Sequence, residues 1–520
     1  MSICPRYFYS ILGIQSLILI SSTLVRVPFV NAQTPLQNSN SATIANEAIA
    51  NNLLIAQTEE ITVPTGQGET IEDIVIRFVD DEGNLVKGKT KPDIIKQEFA
   101  LQPGDTYDEA LAQSGLAAVN ELKIIDRASI TLEPVTENEV NMVVTVEEAS
   151  SFFFTLSATS LHPTALQGTA KPVTVDPSSN KGRGIAPGFR VGVTNINGQN
   201  QEVILGAEVG NKVVGLNLNY RNYLRHDRGY AVNFFNRRSL EPEFDGGDTD
   251  VDLIGGDDPW VHRLGGGVEY FLPLARDFES AVGLTYQLVS VRDDIISDEL
   301  RSEDELGNTL TFSDDGQDGL LTLSFATSLD RRNETRNPTQ GYRLLLQSDQ
   351  SIPVGDASIF YNRLSANYTH FLPWDLFKFT EGQPALVFNL QAGTIIGDLP
   401  GYEAFSLGGA KSVRGYGRGE LGVGRSFVQA SAEYRFPIFS FEREKEDLEI
   451  GGTLFFDYGT DLGSGDTVRG EPGVVRDKPG DGFGYGIGLR SLTPFGIIRL
   501  QFALNDEGEG EIIFGFGDRY

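Results

Sequence analysis

Val428-Gln429-Ala430-Ser431-Ala432-Glu433-Tyr434-Arg435-Phe436 alternates apolar and polar residues without a break. Successive side chains of a strand point to opposite faces, so this run has one apolar face and one polar face that carries both an acid and a base. The period recurs throughout 150–520. Leu321, Leu323, Phe325 and Leu329 alternate with Thr322, Ser324, Ala326 and Ser328; Leu386, Phe388, Leu390 and Ala392 alternate with Val387, Asn389, Gln391 and Gly393. A soluble sandwich can alternate in this way, but several segments here reach the ~9–11 residues of a membrane strand.

About sixteen strands are expected, beginning near 152, 188, 201, 213, 230, 261, 279, 319, 341, 357, 383, 425, 448, 483, 497 and 511. Their connections alternate in length. Short turns such as Asn195-Ile196-Asn197-Gly198, Leu272-Pro273-Leu274 and Thr493-Pro494-Phe495-Gly496 fall at one end, and the polar loops 239–260, 293–318, 398–424 and 461–482 at the other. That sorting belongs to a closed antiparallel membrane barrel, and a soluble sandwich has no reason for it.

The rest of the chain is organised around this unit. Arg6, an apolar run from Tyr7 to Ile20 and Val30-Asn31-Ala32 mark residues 1–32 as a secretory signal peptide, with an uncleaved anchor as the alternative. Residues 33–68 are rich in Asn, Ala, Thr and Gln and are expected to be a disordered linker. The only cysteine, Cys4, lies in the signal, so a mature chain has neither a disulfide framework nor a thiol metal site. A formal charge of −30 argues against a nucleic-acid partner.

Residues 69–149 are expected to form a small α/β domain. Ile71 to Val79 is a strand, Pro92 opens a helix, and Asp105 or Thr106 caps a second helix with Ala110, Leu111, Leu116, Ala117 and Val119 as its apolar face. Strands follow at Ala128–Glu133 and Val140–Val146. Strand–helix–helix–strand–strand, with Pro103-Gly104-Asp105 between the helices, resembles a POTRA domain.

Ser412-Val413-Arg414-Gly415-Tyr416-Gly417-Arg418 lies in a Gly-rich loop between the eleventh and twelfth strands. The tetrad Val413, Arg414, Gly415 and Tyr416 resembles the signature loop of the BamA/TamA outer-membrane assembly superfamily. Phe455-Phe456-Asp457-Tyr458-Gly459 resembles that family's Phe-x-Asp-x-Gly strand motif, and Asp330 to Gly341, with Arg336-Asn337-Pro338 and Gly341-Tyr342, its Asp-Arg…Pro…Gly-Tyr turn. The resemblance implies a sixteen-strand barrel whose loop folds inward so that its Arg meets acids on the wall. Strand parity agrees. Leu454, Phe456 and Tyr458 share the apolar face, so Asp457 points into the lumen, as do Glu433, Arg435, Arg490 and Arg499 by the same count. A charge facing lipid at mid-membrane costs ~2–4 kcal/mol. Asp457 and Glu433 are therefore the expected acceptors for Arg414, whose planar fork suits a carboxylate.

The resemblance further implies an outer-membrane assembly factor with the α/β domain in the periplasm. A lateral seam between Phe152–Ser160 and Glu511–Tyr520 would open to template an incoming strand of an unfolded β-barrel client. Gly515 and Gly517 weaken the last strand, and Tyr520 gives it an aromatic end. The bilayer, client polypeptides and periplasmic chaperones or envelope proteins are the expected partners. A polypeptide translocation pore for secreted or imported chains is the alternative, with a passive porin or an envelope tether behind it. Relatives in the assembly family commonly carry several POTRA domains, and this chain shows one. No enzyme, cofactor or metal site is expected. His162, His226, His262 and His370 are scattered, the Asp245–Asp252 run is a single copy of a Gly-Asp pattern that needs several, and no nucleophile–base spacing is visible.

Overall fold

The computed structural model describes residues 63–66, 68–157, 188–275, 278–335, 337–355, 357–379, 382–443, 446–493 and 496–520. The expected signal peptide, nearly all of the linker, Ser160 and Arg336 lie outside them. Thr62–Tyr520 forms one compact unit.

The α/β region contains β1 (Thr70–Val79), β2 (Leu85–Val86), α1 (Pro92–Lys96), α2 (Glu109–Asn120), β3 (Ile125–Pro134) and β4 (Glu139–Glu148). Its sheet runs β2-β1-β4-β3, with β1 and β4 parallel and the outer pairs antiparallel. Ile71, Ile74, Ile95, Phe99, Leu116, Val119, Met142 and Val144 fill the core between sheet and helices. Helix α2 corrects the sequence expectation. Its cap is Asp108, which accepts from the Leu111 amide at 2.9 Å, and its inward face is Ala112, Gly115, Leu116 and Val119, leaving Leu111 exposed. Those four positions follow the i, i+3, i+4, i+7 spacing that one helical face demands.

The remaining sheet has sixteen antiparallel strands, each paired with its neighbours in sequence. They are β5 (Phe152–Ser157), β6 (Gly188–Val193), β7 (Gln201–Gly210), β8 (Val213–Arg225), β9 (Arg228–Leu240), β10 (Trp260–Ala275), β11 (Phe278–Arg292), β12 (Gln317–Asp330), β13 (Gly341–Ile352), β14 (Tyr361–Pro373) and β15 (Ala385–Gly397). After β16 (Phe405–Leu407) and β17 (Gly422–Gly424), which pair inside a loop, come β18 (Ser426–Arg443), β19 (Glu446–Thr460), β20 (Asp481–Thr493), β21 (Gly496–Asn505) and β22 (Gly510–Phe516). Every wall strand starts within about four residues of the position its alternation marks.

Side chains sort by parity. Leu216, Phe234, Val268, Leu390 and Ile487 face outward and are exposed, while Asn217, Asn219, Glu269, Asn389 and Glu433 are buried inside. The α/β region meets the short-turn end of the barrel. The Lys91 amide donates to the Gly198 carbonyl at 2.9 Å, Asn195 donates to Thr90 at 2.7 Å, and Gln97 donates to the Leu224 carbonyl at 2.9 Å.

At the opposite end the long loops pack on one another. Arg263 donates to Glu241 at 2.7 and 2.9 Å and to Glu403 at 2.8 Å, and Tyr402 donates to Asp318 at 2.6 Å. Beneath them Phe244, Leu253, Val261, Val289, Val291 and Leu310 form an apolar cluster. These loops therefore cap that end of the lumen rather than trailing in solvent.

Candidate functional site

The loop 398–424 descends from this cap into the lumen. Val413 and Tyr416 pack with Leu407 and Leu421, and the Tyr416 hydroxyl donates to Asp506 at 2.6 Å. Two glycines make the approach to the wall possible. Gly415 has φ +99°, and a Cβ there would lie 2.8 Å from the backbone of Leu504 and Asn505. A Cβ on Gly484 of β20 would lie 1.7 Å from the Arg414 carbonyl oxygen.

Arg414 is fully buried. Its Nε and one terminal nitrogen bind Asp457 bidentately at 2.7 and 2.9 Å, and the other terminal nitrogen donates to Glu433 at 2.8 Å. Its backbone amide also reaches Asp457 at 3.2 Å, and the guanidinium lies 3.4 Å from the centre of the Phe455 ring. Charge-assisted, forked contacts of this kind are both strong and directional. The stacking on Phe455 adds a cation–π attraction.

Sequence parity put Arg435 on the same surface, but not the residues that complete the cluster. After β22 the chain turns inward at Gly517, whose φ is +78° and whose amide donates to the Ile497 carbonyl at 2.7 Å. Arg499 holds the bend by donating to the Gly517 carbonyl at 2.9 Å. Asp518 then accepts from both terminal nitrogens of Arg435 at 2.9 and 2.7 Å, and Arg435 Nε donates to Glu433 at 2.9 Å. Arg519 donates to both oxygens of Asp457 at 2.9 and 3.1 Å and to the Ser412 carbonyl. Tyr520 lies 2.7 Å from the Ser431 hydroxyl, which itself donates to Asp457. The charges alternate as Arg519–Asp457–Arg414–Glu433–Arg435–Asp518, and the peptide bond between Asp518 and Arg519 closes the circuit. In this circuit each carboxylate lies between two arginines or beside one, and Arg490 stands 3.7 Å from Asp518 as a further cation; charges can be buried when they are paired in this way.

Tyr520 is therefore not part of a seam strand. The last strand stops at Phe516, because Gly517 adopts a left-handed conformation and the charged pair that follows has no place on a lipid face. Of the other seam residues, Phe152 is exposed and pairs with Val193, Glu511 is buried and pairs with Ala503, and Gly515 pairs with Arg499. Among the described residues no ladder joins β5 to β22. A sequence signal for the inward tail did exist: alternation ends at Gly517, and Asp518-Arg519 would otherwise face hydrocarbon.

A cavity of about 410 Å³ separates the loop and tail from the facing wall, lined among others by Arg343, Gln347, Arg363, Asn367 and Gln391. Asp245 accepts from Lys212 at 2.9 Å, and among the described residues no cluster of His, Cys, Asp or Glu is arranged to hold a metal ion. The expected turn at Asp330 holds Arg332 on Asp330 at 2.6 Å, and its Asn337 accepts from Arg490 at 2.8 Å.

This architecture has counterparts in known proteins. The Omp85 superfamily domain matches residues 195–520. Outer envelope protein 80, chloroplastic, of Arabidopsis thaliana is 28% identical over 458 residues, covering 86% of this chain and 57% of its own length. Protein TOC75, chloroplastic, of Pisum sativum is 28% identical over 494 residues, covering 89% and 58%. The chain thus spans less than two thirds of these relatives. BamA from Haemophilus ducreyi lacking POTRA domains 1–3 superposes with a TM-score of 0.57 at 14% identity, covering 85% of this chain and 83% of that one. CdiB from Acinetobacter baumannii superposes at 0.54 and 13% identity, covering 86% and 73%. A lumenal arginine loop clasped by two wall carboxylates, inside a sixteen-strand barrel matched over 195–520, places this chain in the Omp85 superfamily.

Proposed function

We propose that the chain is an outer-membrane assembly factor that inserts β-barrel clients at the seam between β5 and β22, with the POTRA-like α/β region in the periplasm. The observation that carries this reading is the shortness of β22 together with the inward fastening of the chain that follows it. A strand edge with unpaired N–H and C=O groups is a template for strand addition. β22 is seven residues long, and the chain after it is fastened inward, by Arg519 to Asp457 of β19 and to the Ser412 carbonyl of the arginine loop. A client hairpin pairing with β22 at an opened seam would have only a seven-residue strand to displace a partner from. The exposed β2 edge of the α/β region offers a second template for clients or periplasmic partners, and no step requires an enzymatic group or a cofactor.

The second reading, a polypeptide translocation pore, is favoured by the similarity to chloroplast envelope proteins. It requires the Arg414 loop to leave the lumen, where its cluster is now buried. A Ser412→Cys/Gln429→Cys pair separates the two readings, because Ser412 donates to Gln429 at 2.8 Å and the disulfide would pin the loop to β18. Full-length protein in liposomes should accelerate folding of a urea-denatured outer-membrane barrel, read by heat-modified gel mobility, with the loop pinned or free. Loss of activity on pinning, together with protease-protected entry of polypeptide into the vesicles when reduced, would establish the pore instead.

A further inference from the structure

We propose that the turn Trp374–Phe379 is a lipid anchor. It seats one arc of the barrel in the headgroup region of the leaflet on the short-turn side, with Lys378 directed to lipid phosphate. The connection between β14 and β15 differs from three described connections at its end of the barrel. The Arg331–Gln340 connection is polar, and the turns at Asn195–Gly198 and Leu224–Asp227 pack on the α/β region. This one reads Trp-Asp-Leu-Phe-Lys-Phe. Trp374, Leu376 and Phe377 are 47%, 50% and 59% exposed.

The turn is built rather than loose, and it folds over the outer wall. Asp375 accepts from the Phe379 amide at 3.0 Å, and the Leu376 amide donates to the Tyr434 hydroxyl at 3.1 Å. Phe379 stacks on Phe436 with ring centres 5.7 Å apart, while Trp374 and Phe377 set their edges against Tyr434 at 6.1 and 5.8 Å. Tyr434 and Phe436 lie on the outward face of β18, opposite in parity to lumenal Glu433 and Arg435. The exposed rings therefore continue the lipid-facing belt, where Leu386 pairs with Tyr434 and Phe388 with Ala432.

That continuity commits the patch to lipid. Trp and Tyr gather at the membrane–water boundary because one end of each ring is apolar and the other can hydrogen-bond, and a nearby Lys reaches the phosphates. A patch of this kind left in water would be an association hazard. Position around the barrel supplies a purpose. The Asn195–Gly198 turn joins the second and third wall strands and the Trp374 turn joins the tenth and eleventh, so eight strands separate them. The barrel is gripped by the α/β region on one arc and by lipid on the opposite arc.

The test uses full-length protein in phosphatidylcholine/phosphatidylglycerol vesicles. The chain has two tryptophans, and the other, Trp260, is 8% exposed. A Trp260→Phe variant therefore isolates Trp374. A difference spectrum between the native chain and Trp374→Phe gives the same signal should the first variant fold poorly, with folding checked by heat-modified gel mobility. We expect strong quenching by lipids brominated near the glycerol end of the chain, weaker quenching by lipids brominated near the methyl end, and little by aqueous iodide. Lys378→Glu should raise quenching by acrylamide, a neutral aqueous quencher, in anionic vesicles. Iodide quenching without bromolipid quenching would overturn the proposal and mark the turn as a protein-docking surface. Deepest quenching at the methyl end would overturn the headgroup placement, and so would a Lys378→Glu variant that changes nothing.

Discussion

The α/β region and the barrel obey the same period-two rule with opposite outcomes. In β4, Met142, Val144 and Val146 turn inward and are buried, and of the alternate positions Asn141, Thr145 and Glu147 are half-exposed polar residues while Val143 is buried. In β20, Ile487 turns outward and is 60% exposed, while the alternate positions are glycines and an arginine facing the lumen. The strand chemistry is the same, but the solvent outside differs. In the first case water selects the polar face as exterior, and in the second hydrocarbon selects the apolar one. Stability must then come from different sources: apolar packing in the α/β region, and paired charges and backbone ladders inside the barrel.

The largest expected effect tests the ionic half of that contrast. Arg414→Ala leaves Asp457 and Glu433 buried without their shared partner. Removing one member of a buried pair costs ~3–5 kcal/mol, and complete burial of Arg414 and Asp457 leaves no wet lumen to reduce it. Urea unfolding from liposomes should show a loss in this range, and Arg414→Lys should restore only part, since an ammonium cannot fork. A double-mutant cycle with Asp457→Asn should reveal strong coupling. Additive losses would reduce the circuit to independent pore charges.

Next comes the apolar half. Leu116→Ala in the α/β core should cost ~2–5 kcal/mol, measured on a fragment carrying that region. Ile487→Ala should change barrel stability little, because lipid occupies the space vacated. Equal losses at the two sites would break the comparison. A slightly smaller effect belongs to Phe456→Arg, a charge on the outward face beside lumenal Asp457. It should cost ~2–4 kcal/mol at mid-membrane and lower the yield of heat-modifiable barrel.

The smallest effect lies where the two regions touch. His226, in the turn after β8, sits 2.6 Å from Glu98 of the α/β region, with Glu121 at 3.7 Å and Asp227 at 4.0 Å. Its pKa is raised above the ordinary 6.5, chiefly by the hydrogen bond to Glu98. A raised histidine pKa contributes stability that is complete below 6.5 and is lost as pH rises through the folded value. The contact between α/β region and barrel should therefore loosen from neutral pH upward. Hydrogen exchange of 92–99 should be faster in His226→Gln than in the native chain at acidic pH, and the two should converge at alkaline pH.

How much was legible follows from what is local. A residue's face in a strand is set by its immediate neighbours, so the sequence by itself determined the strand starts and the lumenal side of Asp457, Glu433 and Arg435. The sorting of connections by length held only in part, since the tight turns after Gly210 and Asn505 lie at the long-loop end and the longer connections after Asp330 and Pro373 at the other. It did not determine the phase of α2, where Asp108 rather than Asp105 or Thr106 took the cap. Nor did it reveal that Asp518 and Arg519 close the circuit begun by Arg414, or that the turn at Trp374 lies back on Tyr434. Each of these depends on a bend bringing together residues far apart in the chain. Arg519 lies 62 positions from Asp457, and Asp518 lies 83 from Arg435. Alternation says which charges face the lumen. Only the curvature of the wall and the inward turn at Gly517 decide which of them pair, because a buried charge must find a partner at hydrogen-bonding distance and that distance is a property of the fold.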